Sequence, residues 1–230
     1  MKGRVQGDRP ARHGWTGPGE ARAGAILAVA GFVLAACTER LPAAEVSDPY
    51  VGTALEGTAG DFELTDQTGT RQRLSQFRGN VIVLTFFDSR CTDVCPLTAI
   101  ELKRTYEMLT PQEAGSVEFL AVNVNTEASS VEVITAATKK WRLDEIHSFH
   151  FLTGAEVELR PIWDVYHITV YRPPDQADEL LHTPGAFLID QVGELRWYVS
   201  TPFNESGQAE WTAPLSELLI EHIQSLLREG

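Results

Sequence analysis

Hydrophobic and polar positions divide most of the chain into alternating extended and helical stretches. Val81–Phe87, VIVLTFF, is an almost unbroken apolar run rich in β-branched and aromatic residues, the pattern of a strand buried on both faces of a parallel sheet. Residues 117–124 read as a second such strand, and Phe149–Leu152 as a short extended piece. Residues 62–65 and 71–74 flank the polar Asp66-Gln67-Thr68-Gly69 and predict a hairpin or strand-turn entry. Helical spacing runs from Pro96 through Ile100, Leu102 and Tyr106 to Leu109, and recurs over 129–141 and 156–163. Residues 166–171 alternate, with Tyr166, Ile168 and Val170 on one face and His167, Thr169 and Tyr171 on the other, which predicts a strand before a polar loop over 172–181. Residues 186–190 and 194–199, joined through Val192-Gly193, read as an antiparallel hairpin. Leu215, Leu218, Leu219, Ile223, Leu226 and Leu227 line one side of a closing helix.

Two of the three cysteines, Cys91 and Cys95, follow the central apolar run within a few residues, and Pro96 suits the first position of the helix after it. The pair is therefore expected at the carboxyl edge of a central strand, where open α/β sheets place their chemistry. With Pro96 at the first helical position, Cys95 falls at the cap and Cys91 in the preceding loop. Unpaired N–H groups, the positive end of the helix dipole and Arg90 all favour thiolate there. Three intervening residues let the sulfurs meet, as a disulfide or as two ligands on one soft metal ion. A hairpin following βαβ units, with two cysteines after the first central strand, points to an α/β thioredoxin-like fold. Its expected form is a central mixed β-sheet flanked by helices, with an N-terminal strand extension.

The first fifty residues change the setting. Residues 1–24 are basic and scattered with glycine and proline, and the apolar run after them is too short to span a bilayer but right for a secretory signal. It closes on Leu34-Ala35-Ala36-Cys37, which resembles the bacterial lipobox, so residues 1–36 are expected to be a signal peptide and Cys37 the site of lipid attachment. Residues 37–50 read as a tether and 51–230 as one domain. The formal charge of −13 becomes more negative once the basic leader is removed, which argues against nucleic acid and against an anionic membrane surface as partners. The membrane is expected to be reached through the lipid, in a bacterial cell envelope, facing the periplasm or exterior. With Cys37 assigned to the anchor, an even pair of cysteines remains in an oxidising compartment.

The stretch SRCTDVCPLT, followed far downstream by LHTPGAFLID, resembles the Sco/SenC family of copper-binding assembly factors for the dinuclear copper site of cytochrome c oxidase. The resemblance implies a thioredoxin fold, a membrane anchor, and copper, as Cu(I) or Cu(II), held by Cys91, Cys95 and His182. It also implies, as partner, the copper-site subunit of cytochrome c oxidase or another exported cysteine-containing protein. Two thiolates suit Cu(I), and an added imidazole can also hold Cu(II). The chain departs from the family pattern at Asn123, Val124 and Glu127, where an Asp-Pro loop with a further Asp is usual, and at Leu181, where an acidic residue is usual before the histidine.

TPGAFLID is also similar to the segment that carries a cis-proline opposite the cysteines in thioredoxin-like oxidoreductases, which marks Pro184 as a possible cis-proline. Two readings therefore stand. One is a metallochaperone using Cys91, Cys95 and His182. The other is a thiol–disulfide oxidoreductase, with Cys91 attacking and Cys95 resolving. A peroxidase would want Thr or Ser three residues before the reactive cysteine, where this chain has Asp88. Plainer roles exist for the same residues: a structural disulfide for the cysteines, a loop position for His182, helix capping for Asp93. His147, His150 and His222 read as surface or edge residues, and His167 as packed on a strand face.

Overall fold

The computed structural model describes residues 52–175, 180–200 and 214–230. The expected signal peptide, Cys37 and tether lie outside them. In chain order the strands are β1 Thr53–Ala54, β2 Glu63–Thr65, β3 Arg71–Arg73, β4 Val81–Phe87, β5 Val117–Asn123, β6 Phe149–Leu152, β7 Val170–Tyr171, β8 Leu181–His182, β9 Ala186–Ile189 and β10 Leu195–Val199. The helices are α1 Val94–Met108, α2 Pro111–Ala114, α3 Val131–Lys140, α4 Glu156–Val165 and α5 Leu215–Glu229. Among the described residues no helix is long and apolar enough to cross a membrane.

The main sheet runs β1-β10-β9-β4-β5-β6. β4, β5 and β6 are parallel, while β9 lies antiparallel to β4, β10 to β9 and β1 to β10. This is a mixed sheet flanked by helices, with β1 adding an N-terminal strand at its edge, and the fold is thioredoxin-like. All seven residues of β4 are buried. Val81, Val83 and Phe87 face one core with α1, α3 and α5, while Ile82, Leu84 and Phe86 face the other with the β2–β3 hairpin and α4. Each fully buried Leu or Phe contributes roughly 1.5–3 kcal/mol, so a strand covered on both faces is rigidly anchored. Its last residue, Phe87, holds the start of the cysteine loop in place.

The predicted hairpin around Asp66 forms as β2–β3, because the Asp66 carboxylate accepts from Thr68 N (2.8 Å), Thr70 N (3.0 Å) and Gln72 Nε2 (2.8 Å). Two expectations need correcting. α1 begins at Val94 and not at Pro96, with Asp93 as its cap and Cys95 inside the first turn. Proline is tolerated one turn deep because the N–H it lacks has no intrahelical partner there. Residues 166–169 are not strand. α4 runs on to Val165, Tyr166 closes it, and His167 adopts a left-handed φ of 53° while Ile168 N bonds back to Trp163 O at 2.7 Å. The apparent alternation is a helix stop that buries Tyr166 and Ile168 and leaves His167 exposed, so only β7 survives of the predicted strand.

Candidate functional site

The end of β4 and the start of α1 bring Cys91 and Cys95 together, and both are free thiols. Cys91 N donates to Asp88 O at 3.0 Å, which curls the loop back on itself, and Cys95 N donates to Cys91 Sγ at 3.2 Å. Cys91 is partly exposed, whereas Cys95 is 2% exposed and packed in the α1 core. The bond from the Cys95 thiol holds the Cys91 thiol below the ordinary cysteine value, with burial opposing. Sharing with Cys91, together with burial, pushes the Cys95 thiol up. Asp93 accepts from Cys91 Sγ (3.0 Å) as well as from Val94 N (2.7 Å), so the expected cap also touches the outer cysteine.

His182 reaches the pair from β8. Its Nε2 stands 3.8 Å from Cys95 Sγ, and its Nδ1 lies 3.0 Å from Thr183 O. A carbonyl only accepts, so Nδ1 carries the proton and Nε2 presents a lone pair to the sulfur. Burial pulls the His182 pKa down, which keeps the ring neutral and the lone pair free. The cleft above these groups is ≈ 670 Å³ and is lined by Thr85, Asp88, Cys91, Cys95, His182 and Pro184 among others. Among the described residues no three His, Cys, Asp or Glu side chains already form a closed metal cage. The histidine meets the inner cysteine, while the outer one faces Asp93.

The segment after His182 is fixed from several sides. Tyr198 OH donates to Pro184 O, Thr85 Oγ1 donates to Gly185 O at 2.9 Å, and Gly185 has φ +128 with the Tyr198 ring 2.8 Å from where a Cβ would stand. Thr183 N donates to Thr169 O (3.0 Å) and Thr183 Oγ1 accepts from Thr169 N (2.9 Å), so the main chain before Pro184 is already paired with the chain's own β7 side.

Other singled-out residues separate clearly. Asn123 is fully buried and bonds Asn125 O, Ala128 O and Thr153 Oγ1 through Nδ2 while accepting Asn125 N and Ser89 N. Val124 is core, Glu127 pairs with Arg172 at 3.5 Å, and Leu181 is exposed beside Tyr171. His147 is exposed and His150 lies on edge strand β6, as expected. His222 is not a surface residue: it sits on the inner side of α5, 6% exposed and stacked on Trp197 at 4.2 Å. Sequence reasoning gave Asp88 and Asn125 no part in the site, although a carboxylate at the end of a buried strand was a visible signal.

A family model described as SCO1/SenC matches residues 52–215. An SCO2-like protein of Rickettsia conorii is 28% identical over 140 residues, which is 59% of this chain and 65% of that protein. The chain thus spans just under two thirds of such relatives. The thiol-disulfide oxidoreductase ResA of Geobacillus kaustophilus is 38% identical over 79 residues, 34% of this chain and 43% of that one. Among solved structures, apo Sco1 of Thermus thermophilus aligns with a TM-score of 0.59 at 30% identity, covering 77% of this chain and 96% of that one. Copper-bound ScoI of Arabidopsis thaliana aligns with a TM-score of 0.61 at 17% identity, covering 76% and 100%, a likeness of fold. With the matched residues spanning the cysteine loop, His182 and the sheet that joins them, the chain belongs to the SCO1/SenC family.

Proposed function

We propose that this protein binds one copper ion through Cys91, Cys95 and His182 and assists assembly of a copper site, the copper subunit of cytochrome c oxidase being its expected partner. The observation that carries this reading is the orientation of His182. Its Nδ1–H is engaged by Thr183 O and its Nε2 faces Cys95 Sγ at 3.8 Å. Metal-bound histidines characteristically donate their other N–H to a backbone carbonyl or carboxylate in this way. Sulfur and nitrogen ligands held at distances like those on zinc, about 2.3 and 2.0 Å, and 120° apart would be separated by about 3.7 Å. The donor set, two thiols and one imidazole, suits a soft ion such as Cu(I) and extends to Cu(II). Cys91 Sγ already accepts from Cys95 N and would only have to give up its bond to Asp93 to complete the set, and as the partly exposed sulfur it is the more accessible point for capture and release.

Residues 1–50 belong to the same proposal: an export signal over 1–36, a lipid on Cys37 and a tether to 50 would hold the domain at a bacterial membrane, facing the periplasm or exterior. A second reading has its own support. Cys91 is accessible with a lowered thiol and Cys95 is buried with a raised one, the asymmetry of an attacking and a resolving cysteine, and ResA is a partial relative. In that reaction the Cys91 thiolate attacks a partner disulfide and expels one partner thiolate. Cys95 then attacks Cys91 Sγ of the mixed disulfide, forming the Cys91–Cys95 disulfide and releasing the partner's second thiol, so that the partner gains two electrons. The Thr183–Thr169 pairing weighs against it, because the main chain beside Pro184 has its N–H engaged already and cannot pair with a substrate segment.

Anaerobic titration of the reduced protein with Cu(I) against a chelator tests the choice. One tightly held equivalent that is weakened sharply in His182→Ala is expected. Weak binding indifferent to His182 would leave only the dithiol chemistry.

A further inference from the structure

Beneath the cysteines lies a buried polar network that neither the family motif nor the donor set accounts for. Asp88 is 7% exposed and holds the outer cysteine through its main chain, Asp88 O accepting from Cys91 N at 3.0 Å, while it lines the same cleft as Cys95. Its side chain is held in turn, since Oδ1 accepts from Arg90 N (2.9 Å) and from Asn125 Nδ2 (2.7 Å). Asn125 is 5% exposed and sits in the loop after the neighbouring strand β5. It is itself fixed, because its Oδ1 accepts from Glu127 N (3.1 Å), its N donates to Asn123 Oδ1 (3.1 Å) and its O accepts from Asn123 Nδ2 (3.1 Å). Ser89 ties the same two loops together, Oγ donating to Ala128 O at 2.7 Å.

A satisfied buried network of this kind costs free energy if any member is removed, and it specifies one loop conformation over the others. The Asp88 carboxyl lines the same cleft as Cys95 and His182, beside the donor set without adding a ligand. We propose that Asp88 and Asn125 are a positioning pair for the cysteine–histidine site: Asp88 holds the Cys91 end of the cysteine loop through its main chain, and Asn125 locks Asp88 from the β5 loop.

The proposal uses the copper-binding reading for one readout and is independent of it for the other. In the full reduced chain, Asn125→Ala is expected to change the rate at which Cys91 reacts with a small aromatic disulfide, and to lower Cu(I) affinity about tenfold or more, as loss of groups that orient metal ligands does elsewhere. The exchange Asp88→Asn with Asn125→Asp rebuilds the bond between the two loops with donor and acceptor reversed, at the loss of the bond from Arg90 N to the same atom, and should restore part of both. Should Asn125→Ala fold poorly, Asn125→Ser keeps a polar group that is too short to reach Asp88 and serves the same comparison. Thiol rate and affinity unchanged in the single variant, even with a lower melting temperature, would overturn the pair as a positioning device. So would an exchange variant no better than the single one. If the unmodified chain takes up no copper, the copper reading fails and the thiol rate alone decides the positioning.

Discussion

Nε2 of His182 and Sγ of Cys95 stand 3.8 Å apart although the residues are separated by 87 positions in the chain. The pairing of β9 with β4 explains how. Thr85 lies opposite Ala186 in that antiparallel register, so the segment before β9 is delivered to the edge at which β4 ends. The sulfur enters from α1, the imidazole from β8, and the sheet fixes the span between them.

The two cysteines should react unequally. Cys91 is accessible and its thiol is lowered, whereas Cys95 is buried and its thiol is raised. Alkylation of the reduced protein at neutral pH is expected to modify Cys91 faster by about tenfold or more, as followed by peptide mass spectrometry. Equal rates would mean that Cys95 is not enclosed.

Gly185 links the histidine to the sheet, and its conformation is demanding. With φ at +128 and the Tyr198 ring 2.8 Å from a built Cβ, Gly185→Ala should lose about 1–3 kcal/mol of stability and displace the 182–184 segment. Tyr198→Phe removes only the bond to Pro184 O and should cost about 0.5–1.5 kcal/mol. Urea unfolding of both variants gives the ordering. A Gly185→Ala variant as stable as the parent would contradict the close packing.

Much of this arrangement was legible in the residues, for identifiable reasons. β4 announced itself because a strand buried on both faces must be apolar throughout, and the cysteines and Pro96 marked the turn out of it. His182 was legible through the family motif and through its place just before a strand expected to neighbour the central one, since nothing in its immediate sequence distinguishes a histidine that meets Cys95 from one in solvent. The strand expected over 166–171 failed because a helix stop that buries Tyr166 and Ile168 mimics a period of two. His222 was misplaced because its stacking partner, Trp197, comes from a distant strand. The Asp88–Asn125 bond joins two loops through a register that only the parallel pairing of β4 with β5 defines.

Stability should depend on pH through His150. Its ring lies between Asp66 (Nδ1 to Oδ2, 3.3 Å) and Glu118 (Nε2 to Oε2, 3.7 Å), with Phe77 packed against it at 5.2 Å. Burial pulls its pKa down, but the bonds to Glu118 and Asp66 outweigh burial and the net shift is upward. A histidine with a raised folded value gives stability that is complete below its unfolded pKa, about 6.5, and lost as pH rises through the folded value. The melting temperature should therefore fall on the alkaline side of that window, and the fall should be absent in His150→Gln. An unchanged slope in the variant would place the titration elsewhere.

Leu84 tests whether the scaffold and the site separate. It is fully buried and faces the β2–β3 hairpin and α4, away from the cysteines. Leu84→Ala should lose about 2–5 kcal/mol in urea unfolding while the folded protein keeps unequal cysteine reactivity. Loss of that asymmetry at low denaturant would show that the site depends on the far core.

The most direct test of the account is X-ray absorption at the copper edge of the reduced protein loaded with one equivalent of Cu(I). The account predicts two sulfur neighbours and one nitrogen neighbour, with the nitrogen contribution removed in His182→Ala and the sulfurs retained. A spectrum with two sulfurs and no nitrogen, unchanged by His182→Ala, would contradict it, and His182 would then be a neighbour of the dithiol and not a ligand.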